Sequence, residues 1–259
     1  MQLREAADVL GVHYQTAYGW VRQGLLPARK VGRGYEVSDS DVRALAAHRE
    51  AGQEPRHHIE VRDYSAQAGR LYSAIAGGEE TRARQGLARL AGGVTLIDLC
   101  ELILSPALRQ IGDNWAAGQL SIAREHRASA ICERLLATHA QQPQGRPRGT
   151  AVVTTPPGER HALPALMAAA CLREDRWLVH HLATDLPIAE AERLAQDVGA
   201  DLLVLSCATT EGRDRALAAA SDLAAARPGL PVLVGRSGAS LHDLRQQARN
   251  TRGPGAGPP

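Results

Sequence analysis

From residue 150 onward, short apolar runs alternate with stretches of helical periodicity. Four of these runs have the length of a single buried strand: 151–155, 177–182, 202–206 and 232–235. Strands that alternate with helices pair in parallel, and their connections wind over both faces of the sheet. The pattern therefore predicts a doubly wound, Rossmann-like domain over residues 150–250, with its ligand site outside the carboxyl ends of the strands.

The preceding segments carry different signatures. Residues 57–140 contain four amphipathic helical stretches joined by short loops, which predicts a four-helix bundle. Residues 141–149 are polar and rich in Pro and Gly, as in a linker. Residues 251–259 are mostly Gly and Pro, so a disordered tail is expected there. The predicted fold is multidomain, α and α/β.

The first fifty residues predict a DNA-binding domain. Two short helical stretches flank a Gly11-Val12 turn, and a hairpin signal follows at Gly32-Arg33-Gly34. This is the order of a winged helix-turn-helix, whose second helix enters the major groove while the hairpin contacts phosphates. The predicted DNA-binding residues are Tyr14, Gln15, Thr16, Tyr18 and Arg22 on the helix, and Arg29, Lys30 and Arg33 on the hairpin.

Residues 1–50 resemble the winged helix-turn-helix of MerR-type regulators and excisionases. The alternative for this segment is a small helical domain that contacts another protein. The net charge of the whole chain is only +2, so any DNA contact must come from a local basic patch.

A spaced motif stands out in the helical middle. Trp115 is followed, after nine intervening residues, by the pair Glu125-His126. This spacing resembles the Trp-x9-Glu-His signature of CarH-type cobalamin photoreceptor-regulators. The resemblance implies that the bundle covers the upper face of a cobalamin, with Trp115 over the upper axial group and Glu125 and His126 lining the same pocket. The alternative is a core tryptophan followed by two ordinary residues near a helix start.

The loop after the first predicted strand contains Glu159-Arg160-His161, which resembles the Glu-x-His form of the motif in cobalamin-binding domains. The resemblance implies that His161 is the lower axial ligand of cobalt and that Glu159 bonds the other ring nitrogen. It also implies that Ser206, Thr209 and Gly235, at the ends of later strands, flank the nucleotide tail.

The chain departs from these families at three points. Ala116 stands where the photoreceptors have a histidine that captures cobalt after illumination, and Pro164 stands where the loop motif has Gly. The strand pattern also fades after 241–249, so the sheet is predicted to be shortened at its C-terminus. The light response is therefore left open, and so is the cofactor: adenosylcobalamin is favoured, against another tetrapyrrole or none.

Taken together, the patterns predict a transcriptional regulator that is not an enzyme and binds double-stranded DNA. A corrinoid gates it by changing the oligomeric state of a homo-oligomer, a dimer or a tetramer. One alternative is a cofactor-independent regulator whose degenerate sensor domain serves dimerisation or protein interaction. Another is a corrinoid carrier for methyl transfer, which would not need the N-terminal domain.

Several other site classes are not supported by the sequence. The four cysteines are far apart, which argues against a zinc cluster and a disulfide framework. A signal pattern and an apolar run of membrane-spanning length are both missing, so a cytoplasmic protein without a membrane partner is expected. Neither His180-His181 nor His57-His58 is predicted to be a ligand pair. Adjacent residues on a strand point to opposite faces, so His180-His181 is a poor chelate, and His57-His58 lies at the edge of a linker.

Overall fold

A computed structural model describes residues 1–12, 14–22, 26–31, 34–50, 63–91, 94–140, 142–143, 145–236 and 238–251. The chain divides into two compact units, Met1–Asp63 with Ala88–Val94, and Tyr64–Leu87 with Thr95–Pro259. Among the described residues, none of the helices combines the length and apolar character needed to cross a membrane.

The first unit contains three helices and a two-stranded antiparallel hairpin: α1 (Leu3–Val9), α2 (Tyr14–Arg22), β1 (Ala28–Val31), β2 (Gly34–Val37) and α3 (Asp39–Glu50). Leu3, Leu10 and Leu26 are buried in their common core. Ser38 accepts a hydrogen bond from the Ser40 N–H (3.2 Å), as expected of the residue that caps α3. The predicted order of helix, turn, helix and hairpin is confirmed.

The helical part of the second unit begins with α4 (Tyr64–Gly77) and α5 (Glu80–Ala91), of which the last residues, 88–91, are grouped with the first unit. One long helical stretch follows, made of α6 (Leu96–Leu99), a π-helical turn (Cys100–Leu104) and α7 (Ser105–Ala116), and then α8 (Ile122–His139). The stretch continues through the π turn because Cys100 and Ser105 both keep right-handed helical backbone angles. The α4 helix packs against α7 and α8, and Ile75, Ile103 and Ile131 are fully buried. The predicted helical bundle is therefore present.

The rest of the second unit is a four-stranded parallel sheet with strand order β4-β3-β5-β6. Its strands and helices alternate along the chain: β3 (Thr150–Thr154), α9 (Ala162–Glu174), β4 (Leu178–His181), α10 (Ile188–Asp197), β5 (Leu202–Leu205), α11 (Thr210–Ala226), β6 (Val232–Val234) and α12 (Leu241–Asn250). The α9 and α12 helices cover one face, and α10 and α11 cover the other. This confirms the doubly wound topology and places the switch point between β3 and β5.

The stretch after which the sequence pattern fades, residues 241–249, lies in a regular helix, α12. In α12, Ala248 is buried against the face that α9 covers, and Arg249 pairs with the Asp175 carboxylate at the end of α9. Asp175 is almost fully buried and also pairs with Arg148 at 3.4 Å. The described sheet thus has four strands, and its last helix is held by packing and by the ion pair of Arg249 with the buried Asp175 carboxylate.

Candidate cofactor-binding site

The loop that follows β3 holds a buried carboxylate beside an exposed imidazole. Glu159 is 1% exposed, whereas 59% of the His161 side chain is exposed. Thr155, directly after β3, donates its hydroxyl to the Glu159 carbonyl (2.6 Å) and accepts the Asp185 N–H (2.9 Å). These bonds give the loop a fixed shape that turns the Glu159 side chain inward.

Glu159 joins the two loops at the switch point. Its Oε1 accepts the His161 N–H (3.1 Å) and lies in hydrogen-bond contact with His161 Nδ1. Its Oε2 accepts the N–H groups of Ala208 and Thr209, each at 3.0 Å, and the Thr209 hydroxyl at 2.8 Å. The carboxylate therefore ties the loop after β3 to the loop after β5 and uses both of its oxygens to do so.

The charge of Glu159 is stabilised although it is out of water. Burial alone raises the pKa of a carboxyl group, but hydrogen bonds from His161 and Thr209 outweigh burial here and hold the pKa of Glu159 at about 2. The group is thus a carboxylate throughout the physiological range. A carboxylate can only accept, so His161 Nδ1 must be the donor in their shared bond.

This geometry prepares His161 to bind a metal. Because Nδ1 carries the proton, the neutral ring has its lone pair on Nε2, and the ring is largely exposed. A metal-bound histidine ordinarily has a carboxylate or carbonyl behind it in this arrangement. Pro164 does not disturb the loop, because it lies in the first turn of α9, where the backbone N–H has no partner within the helix.

Gly212 leaves the space that the Glu159 carboxylate occupies. A Cβ atom at Gly212 would lie 2.5 Å from Glu159 Oε2 and 2.8 Å from Thr209 Oγ1. We expect Gly212→Ala to displace the carboxylate and to lower the free energy of unfolding by about 2–3 kcal/mol, as overpacking at a rigid site does. Urea unfolding measures this change.

Gly69→Ala is the matched control for that substitution, because Gly69 is also helical and a Cβ there would meet nothing within 4 Å. It should stabilise the protein by about 0.5–1 kcal/mol through helix propensity. Equal effects of the two alanines would contradict the steric role of Gly212.

The residues of the tryptophan motif lie near the turn between α7 and α8. Trp115 is 49% exposed at the end of α7, which is unusual for so large an apolar side chain. Glu125, in the first turn of α8, accepts the Ser129 hydroxyl (2.8 Å) and bonds His126 Nδ1 (2.6 Å). The His126 side chain is 75% exposed. Trp115 is thus not the core residue that the alternative interpretation required.

The long helical stretch runs antiparallel to α9. Leu96, at its start, donates its N–H to Glu174 at the end of α9 (2.7 Å), and Ser105 donates its hydroxyl to Met167 Sδ (3.7 Å) in the middle of α9. At 1.5 Å per helical residue, Trp115 lies about 15 Å beyond Ser105, and His161 lies about 9 Å beyond Met167 in the same direction. Trp115 and His161 therefore belong to the same end of the unit.

The predicted tail-flanking residues lie at the carboxyl ends of β5 and β6. Ser206 is buried and donates its N–H to Thr154, and Gly235 donates its N–H to Leu205, each at 2.8 Å. A Cβ at Gly235 would lie 3.4 Å from the Ser206 Cα, so a side chain would crowd this edge. The Thr209 hydroxyl already bonds Glu159 and the Gly212 N–H, which indicates a positioning role.

In the first unit, the structure exposes some of the predicted DNA-binding residues and packs others. Gln15 and Thr16 are exposed on α2, whereas Tyr14 and Tyr18 stack with their ring centroids 6.3 Å apart and pack partly against the core. Arg29 is 81% exposed and pairs with Glu36 at 3.3 Å. Arg33 and His57-His58 lie outside the described residues, as do the side chains of Arg22 and Lys30.

Thr155, Gly212 and Asp185 support the loop after β3, and sequence reasoning missed all three. Thr155 carried a usable signal, because a hydroxyl directly after a buried strand faces the loop edge. Gly212 and Asp185 carried none, because their partners are distant in sequence.

Comparison with known proteins agrees with this architecture. Residues 1–50 match a helix-turn-helix domain family, and residues 67–138 and 149–255 match two families described as B12 binding domains. The fold and the site thus define a helix-turn-helix protein with a two-part B12-binding module.

The chain is a homologue of the HTH-type transcriptional repressor CarH of Myxococcus xanthus. The two are 26% identical over 271 residues, which cover 92% of this chain and 89% of that protein. This confirms the resemblance to CarH-type regulators. Among solved structures, the Methanosarcina barkeri monomethylamine corrinoid protein has the same fold, with a TM-score of 0.54 and 15% identity over 70% of this chain and 96% of its own length.

Proposed function

We propose that the chain is a DNA-binding transcriptional regulator gated by a corrinoid held between its helical bundle and its parallel sheet. The observation that carries the proposal is the Glu159-His161 pair, in which a buried carboxylate leaves the Nε2 lone pair of an exposed imidazole free for cobalt. In this scheme residues 1–50 bind DNA, residues 57–140 cap the upper face of the cofactor, and residues 150–250 hold its lower face.

The side chains near His161 fit a corrinoid. A large flat ligand needs an apolar wall and a few polar contacts. Trp115 offers an exposed aromatic face at the same end of the unit as His161, and Gly235 keeps the strand edge open for the tail. When bound, cobalamin would supply a light-sensitive or exchangeable upper axial group, for which we favour adenosyl.

Gating requires that the cofactor bind two assembly states with different affinity. A DNA-binding domain of about fifty residues contacts few phosphates, so high DNA affinity requires at least two such domains in one assembly. We therefore propose a homodimer or homotetramer whose assembly changes with occupancy. As a regulator of transcription it would act where the chromosome lies, in the cytoplasm of a bacterial cell.

We propose regulation rather than enzymatic activity. The fold is shared with the monomethylamine corrinoid protein of Methanosarcina barkeri, so methyl transfer is the second candidate. A methyl carrier has no use for a helix-turn-helix, whereas a regulator needs one.

The test is to mix the purified full chain with adenosylcobalamin in the dark, record its visible spectrum, and then separate it by gel filtration with and without illumination. Co-elution of corrinoid and an occupancy-dependent size, together with a matching change in operator binding, are the expected results. Absence of corrinoid with intact DNA binding would select the cofactor-independent regulator. Methyl uptake from a methyltransferase without DNA binding would select the carrier.

Arg29 should contribute to DNA affinity through phosphates. We expect Arg29→Ala to weaken binding about 3-fold to 10-fold at low salt on every sequence, and to reduce the slope of log affinity against log salt by about one. Glu36→Gln is the control, since it frees Arg29 from its ion pair and should leave affinity equal or higher. Fluorescence anisotropy across a salt series measures the affinity and its salt dependence for both variants. An unchanged slope for Arg29→Ala would show that Arg29 does not contact DNA phosphates.

A further inference from the structure

A cluster of polar contacts joins the π-helical turn of the long helix to the start of α12. Glu101, in that turn, accepts the Ser240 hydroxyl at 2.9 Å and also accepts the Leu241 N–H. The Glu101 side chain is 24% exposed and lies about 140 residues from its partners in sequence. We name Glu101, Ser240, Leu241, His242 and Asp98 the clasp.

His242 completes the clasp. Its Nε2 lies 3.2 Å from Asp98 Oδ1 and 3.9 Å from Glu101 Oε2, and its Nδ1 lies 3.3 Å from Arg245. Arginine can only donate, so Nδ1 accepts and Nε2 donates toward Asp98. Both ring nitrogens of His242 therefore have a polar partner.

The clasp connects the two regions that the proposed function assigns to opposite faces of the cofactor. Glu101 lies on the same helical stretch as Trp115, fourteen residues or about 21 Å before it. Ser240 ends the loop that begins at Gly235, at the carboxyl edge of β6. The Glu101 carboxylate thus joins the helical stretch that carries Trp115 to the loop after β6, which the proposed function places at the lower face of the cofactor.

We propose that Glu101 is a positioning residue that sets the distance between Trp115 and His161. The inference rests on the proposed function. A helix transmits a displacement at one end to the other, because its turns are closely packed and hydrogen-bonded along its length. The π turn, whose extra residue interrupts the regular ladder, is the point where the long helix can bend, and the clasp holds it there.

The test is a double-mutant cycle on the full chain, with adenosylcobalamin affinity measured by absorbance titration in the dark. Glu101→Ala should weaken binding about tenfold, the usual effect of losing hydrogen bonds to a charged group. In a Trp115→Ala background the same substitution should have almost no further effect, because its action passes through Trp115. Additive losses would overturn the proposal and indicate general destabilisation.

Two further variants keep the test independent of folding. Glu101→Gln retains an oxygen that accepts from Leu241 and Ser240, so it should bind within about twofold of wild type. Glu190→Ala, which removes an exposed carboxylate from its surface pair with Arg193, is the matched control and should bind normally. A tenfold loss in Glu101→Gln as well would overturn the role assigned to these hydrogen bonds.

Hydrogen exchange of the cofactor-free protein separates this proposal from the proposed function. The Leu241 amide should exchange slowly in wild type and at least tenfold faster in Glu101→Ala, whether or not corrinoid binds. Failure of the wild type to bind corrinoid would refute the proposed function. Wild-type affinity in Glu101→Ala, with fast Leu241 exchange, would refute the positioning role alone.

Discussion

Alanine at His161 should lower the affinity for adenosylcobalamin by at least about 100-fold, since it removes the imidazole nitrogen that we propose as the lower axial ligand of cobalt. The visible spectrum of any residual complex should differ from that of the wild-type complex. The fold should persist, because the His161 side chain is mostly exposed and its loop is held by the hydrogen bond from the Thr155 hydroxyl to the Glu159 carbonyl. Absorbance titration and thermal unfolding together measure both expectations.

His180→Ala is the matched control, since His180 lies on the neighbouring strand β4 and has no assigned role at the site. It should bind corrinoid as the wild type does. Imidazole added to His161→Ala should restore part of the spectrum if the pocket is otherwise intact. Retention of full affinity in His161→Ala would show that the lower ligand lies elsewhere.

The second large effect is expected for Glu159→Gln, which keeps the shape of the side chain but offers one acceptor instead of two. If the amide oxygen faces Ala208 and Thr209, the amide NH2 faces His161 Nδ1, which must then accept. The ring proton moves to Nε2, and the lone pair that would bind cobalt is lost. We expect corrinoid affinity to fall by about 10-fold to 100-fold, as for partners behind metal-bound histidines.

The same substitution should change how stability depends on pH. The pKa of Glu159 is about 2 in the folded protein, against an ordinary value of 4.5, so its carboxylate contributes stability that is fully present above pH 4.5. That contribution, about 3 kcal/mol, should be lost as the pH falls from 4.5 toward 2. Wild-type stability should therefore drop more steeply over this range than that of Glu159→Gln.

Urea unfolding at several pH values measures this difference in slope. Glu211→Gln is the matched control, because Glu211 is an exposed carboxylate in the first turn of the neighbouring helix α11. It should follow the wild-type curve. Parallel curves for Glu159→Gln and wild type would mean that the Glu159 charge is not stabilised by its partners.

The sequence predicted the elements that depend on local pattern. The buried run at Val152 and Val153 and the alternation after it were sufficient to predict the parallel sheet, because a short run rich in β-branched residues, followed by a helical stretch, indicates a buried strand. The π turn at Cys100 was not predicted, since an extra residue within a helix leaves no distinct periodic signal. The last patterned stretch, 241–249, was not assigned a structure, because α12 has only one fully buried residue, Ala248, and so carries little apolar pattern.

The candidate site was predictable only in part for a related reason. Glu159 and His161 are two residues apart, so their spacing could suggest a bond, and the structure forms it. Thr209 was predicted beside a nucleotide tail, but its hydroxyl bonds Glu159, fifty residues earlier in the chain. A contact of that range depends on how strands order in the sheet, which a single sequence does not encode in its local pattern.

The bridge from Glu159 to Thr209 has a consequence for the nascent chain. Synthesis runs from the N-terminus, so the loop that carries His161 leaves the ribosome before residues 208–212 are made. Until then, Glu159 Oε2 has none of its donors from the loop after β5, so the carboxylate whose Oε1 bonds His161 is not yet held in place. The DNA-binding domain at residues 1–50 can fold early, whereas the His161 ring is fully oriented only after strand β5 and the loop that follows it have been synthesised. A translating chain can thus present its DNA-binding surface before it can respond to a cofactor.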